Sequence, residues 1–193
     1  MSTKIWLVSD WHFNHDREFI WKVRGFENVQ EMNEAIIERH NAVVQPGDIV
    51  YCLGDACLGG GTPEKLAANK ALIERLNGNI IMLRGNHDTE SRVAMYQQCK
   101  NVIEAGKWAI VIKYKGYSFY LSHHPTLTAN LEKESLKQCL CNLYGHTHQL
   151  YDFYEDRPYM FHVGCDSTNC SPVLLDDIID KMNNKVRECL EEL

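Results

Sequence analysis

The sequence predicts an α/β domain, on three observations. Short apolar runs at 5–9, 48–53 and 79–84 alternate with stretches whose apolar residues recur at helical spacing. Two β-rich runs, 107–114 and 117–122, follow and are joined by Lys115-Gly116, which reads as a tight hairpin. Aspartate, asparagine and histidine residues fall just past predicted strand ends, the edge of an α/β sheet where ligands bind.

Taken in order, 5–9 is a buried strand followed at once by Asp10 and His12. Helix 30–44 follows, with Met32, Ala35, Ile36, Ile37 and Val43 on one face and Glu31, Glu34, Glu38 and Arg39 between them, until Pro46-Gly47 stops it. Its mixture of apolar and acidic positions reads as a core-facing helix, not a membrane or partner helix. Strand 48–53 ends at Gly54-Asp55, and Thr62-Pro63-Glu64 opens a helix through about 76, closed by Asn77-Gly78. Strand 79–84 runs into Gly85-Asn86-His87-Asp88, and a weaker helix covers 91–98. After the hairpin, which suggests an antiparallel second sheet, a short helix is expected at 131–140 and a strand at 141–144 leading to Gly145-His146-Thr147-His148. A strand at 159–163 and a helix at 175–190 finish the chain. No repeat, low-complexity tract or linker interrupts it, so residues 1–193 read as a single domain.

Composition agrees. The 193 residues are 45% hydrophobic and 24% charged, which excludes disordered, collagen-like and coiled-coil chains. A chain of this length buries roughly 70% of its unfolded surface, so a metal is not needed to hold the core. Twenty Lys and Arg against 26 Asp and Glu leave a net charge of −6, which disfavours nucleic acid and anionic membrane as partners, although bound cations could reverse that sign locally. The 8 cysteines include no Cys-x-x-Cys pair and read as reduced, packed thiols; Cys57 and Cys165 lie near candidate ligands. The apolar stretch at 5–8 is too short for a signal or membrane segment, so a cytoplasmic location is expected.

The chemistry gathers at the strand ends. On an extended backbone residues i and i+2 point the same way, so Asp10 with His12, and His146 with His148, are each expected to grip one point. Asp55 adds a carboxylate and Asn86 an amide oxygen, while Gly54, Gly85 and Gly145 are expected to supply unusual backbone angles. With His123 the candidate ligands are Asp10, His12, Asp55, Asn86, His123, His146 and His148. They are too many for one tetrahedral zinc and contain no thiolate; they suit two divalent ions bridged by Asp55. Two ions about 3.5–4 Å apart can hold a hydroxide between them and clamp the attacking and departing oxygens of a phosphoryl centre.

Asp10-x-His12, Gly54-Asp55, Gly85-Asn86-His87-Asp88, His123 and Gly145-His146-x-His148, in that order over about 9–148, resemble the calcineurin-like metallophosphoesterase family. DWHFNH and the compact length are similar to its small bacterial and phage members. The resemblance implies a two-layer mixed β-sandwich flanked by helices, four layers α/β/β/α. It implies one ion on Asp10, His12, Asp55 and His148 and another on Asp55, Asn86, His123 and His146, with His87 as the catalytic histidine. Asp88 is a candidate to orient His87. The second motif departs from the family pattern, since Ala56-Cys57-Leu58-Gly59 replaces an Asn or Asp after the bridging residue.

Around this set, Arg24 is the preferred phosphate contact over Arg17, Lys22 and Arg84, and Trp11, Phe13, Phe19, Trp21 and Phe26 are either base-stacking or packing groups. His15, His124 and His162 belong either to the substrate shell or to the structure, and His40 to the structure. The function expected is a metal-dependent phosphoesterase acting on a small, nucleotide-type or generic phosphodiester. Manganese is the first choice of metal, with iron, zinc, nickel or magnesium as alternatives. A catalytically silent protein-binding module, as in a scaffold subunit of the retromer coat, and a nuclease acting on nucleic-acid ends are the competing readings. An intact His87 argues for the enzyme.

Overall fold

A computed structural model describes residues 3–128 and 135–191. Its strands are β1 (Ile5–Val8), β2 (Ile49–Cys52), β3 (Asn79–Leu83), β4 (Val102–Lys107), β5 (Ala109–Tyr114), β6 (Tyr117–Ser122), β7 (Leu140–Tyr144), β8 (Met160–His162) and β9 (Val173–Leu174). Its helices are α1 (Glu18–Trp21), α2 (Val29–Val43), α3 (Pro63–Ile73), α4 (Glu90–Tyr96) and α5 (Leu175–Glu191). One sheet has the order β4-β3-β2-β1-β9 and the other β5-β6-β7-β8. The fold is thus mixed α/β, two sheets flanked by helices.

The apolar runs of β1, β2 and β3 are continuous because both faces of their sheet are buried. Successive side chains alternate between faces. Trp6, Val8, Val50, Cys52, Ile80 and Met82 pack with Met32, Ile36 and Ile37 of α2, Ile73 of α3, and Met95 and Tyr96 of α4. Leu7, Leu53 and Leu83 point the other way, into a second cluster with Phe119, Leu121, Cys141, Leu143 and Phe161, which α5 joins through Leu175, Ile178, Ile179 and Met182. Asn28 caps α2 by accepting from the Glu31 N–H at 2.9 Å. Within α2, buried His40 bonds the Asn77 carbonyl at 2.9 Å, a structural role.

Several details depart from expectation. The second sheet is mixed: only β5 and β6 are antiparallel, joined by a turn in which Lys115 and Gly116 have φ of 48° and 83°. β6, β7 and β8 run parallel, an arrangement that only long connections allow and hairpins do not. β4 reads poorly in sequence because it is half-polar and kinked at Gly106 (φ 106°), where its pairing with β3 shifts register. β9 is two residues long and α1 four, below what periodicity resolves. Of the helix expected at 131–140, residues 131–134 lie outside the described residues, and 135–139 form a turn leading into β7. Among the described residues no helix is long and apolar enough to cross a membrane.

Register brings the site together. Val8 pairs with Cys52 and Cys52 with Met82, so β1, β2 and β3 end side by side, and Leu121 with Leu143 and Tyr144 with His162 do the same in the second sheet. Phe119 lies wholly buried between the sheets, whereas Val111 is 54% exposed. Phe119→Ala is therefore expected to cost about 3–5 kcal/mol, and Val111→Ala less than about 0.5 kcal/mol, as read from urea unfolding.

Candidate metal centre

Beyond the strand ends the chain stays paired. Asp10 N–H donates to Gly54 O at 3.1 Å, His12 N–H to Asp55 O at 3.1 Å and Phe13 N–H to Ala56 O at 3.0 Å, so the first two motif loops run side by side. Ser9 N–H donates to Val163 O at 2.9 Å and Ser9 O accepts from Cys165 N–H at 3.1 Å, tying the first sheet to the loop after β8. Gly145 N–H donates to His123 O at 3.0 Å, joining the loops after β6 and β7.

Within these loops Asp10, His12, Asp55, His146 and His148 have φ between 49° and 68°, the left-handed region. The pincers Asp10-x-His12 and His146-x-His148 are therefore not built on extended backbone. Left-handed residues are unfavourable for L side chains and persist only where surrounding bonds hold them, often at functional sites. Of the three glycines, only Gly54 has a positive φ (103°); Gly85 and Gly145 are required for space. A Cβ at Gly85 would lie 2.1 Å from Asp55 Oδ1, and one at Gly145 2.1 Å from Ser9 Oγ and 2.3 Å from Asp10 Oδ2.

The side chains converge. Three groups of donor atoms each lie within 4.8 Å of one another: Asp10, His12 and His148; Asp10, Asp55 and His123; and His123, His124 and His146. Asn86 Oδ1 stands 2.9 Å and Asp55 Oδ2 3.3 Å from His123 Nε2, while His123 Nδ1 faces Leu53 O at 2.9 Å. His146 N–H donates to Asp10 Oδ2 at 2.9 Å. The His12 and His148 rings lie 5.0 Å apart, as do those of His123 and His146. His87 is half-exposed at the mouth, its ring 5.9 Å from His12 and its Nε2 4.0 Å from Asp55 Oδ2. Its backbone is pinned from both sides: its N–H donates to Asp55 Oδ1 at 2.9 Å, and its carbonyl accepts from Arg92 Nη1.

Burial would raise the Asp10 and Asp55 carboxyls, but the imidazoles around them outweigh it and hold both below the usual range: His12, His123 and His148 for Asp10, and His123 for Asp55. Burial would likewise lower His123, yet Asp55 and Asp10 hold it above its ordinary value. His12 and His146 are pushed down, chiefly by burial, and so favour the neutral, ligating form. Asp10 Oδ1 and both ring nitrogens of His12 are buried with no hydrogen-bond partner. Lone pairs left bare in this way, among oxygen and imidazole donors, fit divalent cations.

Other expected site residues lie elsewhere in this arrangement. The Asp88 carboxylate is engaged away from the His87 ring: its Oδ2 accepts from Asp55 N–H (2.9 Å) and Gly85 N–H (2.8 Å), and its Oδ1 from Tyr96 Oη (2.6 Å). It braces two motif loops instead. Arg24 is not a phosphate contact at the mouth, because its side chain is 2% exposed and bound to Asp166. His162 is wholly buried behind Gly164, with Nδ1 on Ser167 Oγ at 2.7 Å, so substrate cannot reach it. His15 stays beside the site, its ring 5.2 Å from His12 and 5.5 Å from Phe19, and burial lowers its pKa to about 4. His124 is exposed, 4.3 Å from the His146 ring. Arg84 braces the third loop from outside by donating to Asp88 O at 3.0 Å, and Lys22 pairs with Glu18 on the surface.

Of the aromatics, Trp11, Phe13, Trp21 and Phe26 pack in the core, leaving Phe19 66% exposed. Cys57 hydrogen-bonds Tyr96 Oη at 3.3 Å, and burial raises its pKa to about 12. Sequence reasoning missed Asp166, which accepts from His148 Nδ1 at 2.8 Å. The rule that selected the other ligands, an acid just past a strand, applies equally to FHVGCD and would have found it.

A strand-end cluster of carboxylates, imidazoles and an amide on a two-sheet α/β frame defines a metallohydrolase-type site. The family model for the calcineurin-like phosphoesterase superfamily domain matches residues 3–169. The chain belongs to that superfamily, and the membership supports a hydrolase acting on phosphoesters. An uncharacterized protein of Methanocaldococcus jannaschii is 35% identical over 180 residues, covering 91% of this chain and 89% of its own. The crystal structure of a protein of unknown function from Aquifex aeolicus shares the fold with a TM-score of 0.69 at 20% identity, over 93% of this chain and 99% of that one. YfcE, a phosphoesterase from E. coli, aligns with a TM-score of 0.47 at 21% identity, over 89% of this chain and 81% of that one.

Because Gly145 leaves the space that the Asp10 carboxylate occupies, Gly145→Ala is expected to destabilise the fold by about 1–3 kcal/mol and to weaken divalent-cation uptake in titration calorimetry. Gly47→Ala, where a Cβ meets nothing within 4 Å, should leave uptake unchanged.

Proposed function

We propose that the protein is a metal-dependent phosphoesterase that hydrolyses a small, nucleotide-type or generic phosphodiester, on one domain spanning residues 1–193. Asp10, His12, Asp55 and His148 would hold one divalent ion and Asp55, Asn86, His123 and His146 the other, with Asp55 as the bridge. The observation that carries this reading is the convergence of donors from five sequence-distant segments, with buried lone pairs on Asp10 and His12 left bare. Manganese is the first choice for both positions.

When bound, such ions supply Lewis acidity toward phosphoryl oxygens and toward water. The remaining chemistry falls to the chain. His87, pinned by its backbone with its ring free at the mouth, would protonate the departing alkoxide and steady the developing charge. Asp88 and Tyr96 hold the Asp55 and Gly85 backbones, so that His87 is presented from a fixed loop. His15 lies against His12 and Phe19 against His15, and the two would border one arm of the substrate. The net charge of −6 favours a small substrate over a polyanion. Eight cysteine thiols, seven of them buried, suit a reducing, cytoplasmic compartment.

Hydrolysis of bis-p-nitrophenyl phosphate with Mn²⁺ is the direct test. His87→Ala is expected to lower turnover by about 10²–10⁴-fold while retaining the metal; no turnover by the unaltered protein with any of several divalent cations would favour the silent binding module. Asp10 is shared by two of the donor groups and so competes with Asp55 for the bridging role. Elemental analysis separates them: Asp55→Ala is expected to lose both ions and Asp10→Ala only one, and retention of an ion in Asp55→Ala overturns the bridge.

A further inference from the structure

We propose that Asp166 is a positioning residue for His148 and that, through Arg24, it sets the spacing between His148 and the Asp10-x-His12 loop. The proposal rests on the reading of Asp10, His12 and His148 as ligands of one cation. Asp166 Oδ2 lies 2.8 Å from His148 Nδ1 and 2.9 Å from Arg24 Nη2, and Asp166 Oδ1 accepts from Arg24 Nε at 3.1 Å. Both side chains of the ion pair are shielded, at 5% and 2% exposure.

A carboxylate gripped by a guanidinium on both oxygens is an acceptor only. The imidazole nitrogen facing it must therefore carry the proton. In its neutral form His148 is thereby fixed with the proton on Nδ1 and the lone pair on Nε2, the tautomer a metal-binding imidazole needs, and its ring can no longer rotate freely.

The same guanidinium reaches the other arm of the site. Arg24 Nη2 donates to Asp10 O at 2.9 Å and Nη1 to Trp11 O at 3.2 Å. These carbonyls belong to the stretch in which Asp10 and His12 hold φ of 59° and 52°. One rigid, planar ion pair thus connects the ring of His148 to the left-handed backbone that aims Asp10 and His12. A lysine could not reproduce this, since a single ammonium cannot engage two carboxylate oxygens and two carbonyls in fixed directions. The Asp166 loop is itself anchored, because its neighbour Cys165 donates to Ser9 O at the end of β1.

Two measurements test the proposal on the full chain. Long-range ¹H–¹⁵N spectra of the metal-free protein report the His148 tautomer: Nδ1-protonated is expected in the unaltered protein and in Asp166→Asn, whose amide oxygen still accepts, and loss of that preference in Asp166→Ala. Calorimetric titration with Mn²⁺ is expected to show one of two binding steps weakened by about 10- to 100-fold in Asp166→Ala, less in Asp166→Asn, with the other step unchanged. Should Asp166→Ala not fold, Arg24→Lys carries the test, with the tautomer kept and the same single step weakened. Unchanged tautomer and binding in a folded Asp166→Ala, unchanged binding in Arg24→Lys where Asp166→Ala does not fold, or equal weakening of both steps, overturns the proposal. If the unaltered protein takes up no Mn²⁺, the metal reading fails, while the tautomer comparison still decides whether Asp166 governs His148.

Discussion

The site depends on backbone pairing that continues past the ends of the strands. Residues 9–13 lie against 54–58, and Ser9 bonds on its other side to Val163 and Cys165. Five of the candidate ligands sit in left-handed conformations, each unfavourable by about 1–2 kcal/mol in an isolated chain. Hydrogen bonds from neighbouring loops, and the Arg24 guanidinium on the Asp10 and Trp11 carbonyls, hold part of this backbone in place. The loops are consequently a rigid cradle that aims side chains before any ligand arrives.

Around that cradle, polar groups fall into two kinds. Those that brace are fully engaged: Asp88 accepts three hydrogen bonds, and Arg24 and Asp166 satisfy each other, His148 and two carbonyls. At the centre, by contrast, Asp10 Oδ1 and both His12 nitrogens are buried and bare. A buried polar atom without a partner is costly. The contrast between Asp88, Arg24 and Asp166, whose polar atoms are engaged, and the bare donor atoms of Asp10 and His12 is what a ligand-binding centre requires.

Much of the fold was legible because both faces of β1, β2 and β3 are buried, which writes their positions as short apolar runs, and because α2 and α5 carry long amphipathic patterns. What escaped was short or irregular: β9 and α1 lack the length to show a period, and β4 is kinked at Gly106. The parallel course of β6, β7 and β8 escaped too, since strand direction depends on where a long connection returns, and local composition does not encode that. In the site, residues marked by a strand end and a neighbouring glycine were legible. Arg24 and Asp88 were misread because they carry reactive groups engaged by Asp166 and Asp55, 142 and 33 residues away, and His162 because its burial is not written in the local sequence.

By itself the sequence determined which chemistry is available: oxygen and imidazole donors without thiolate, placed in order after apolar strands, because strand periodicity and residue type are local properties. Tertiary structure alone decided which of those groups face one another and which are turned to structural use. Arg24 meets Asp166 across 142 residues, and Asp88 meets Asp55 across 33. Such outcomes follow from sheet register and loop pairing, in which each contact depends on two distant segments at once.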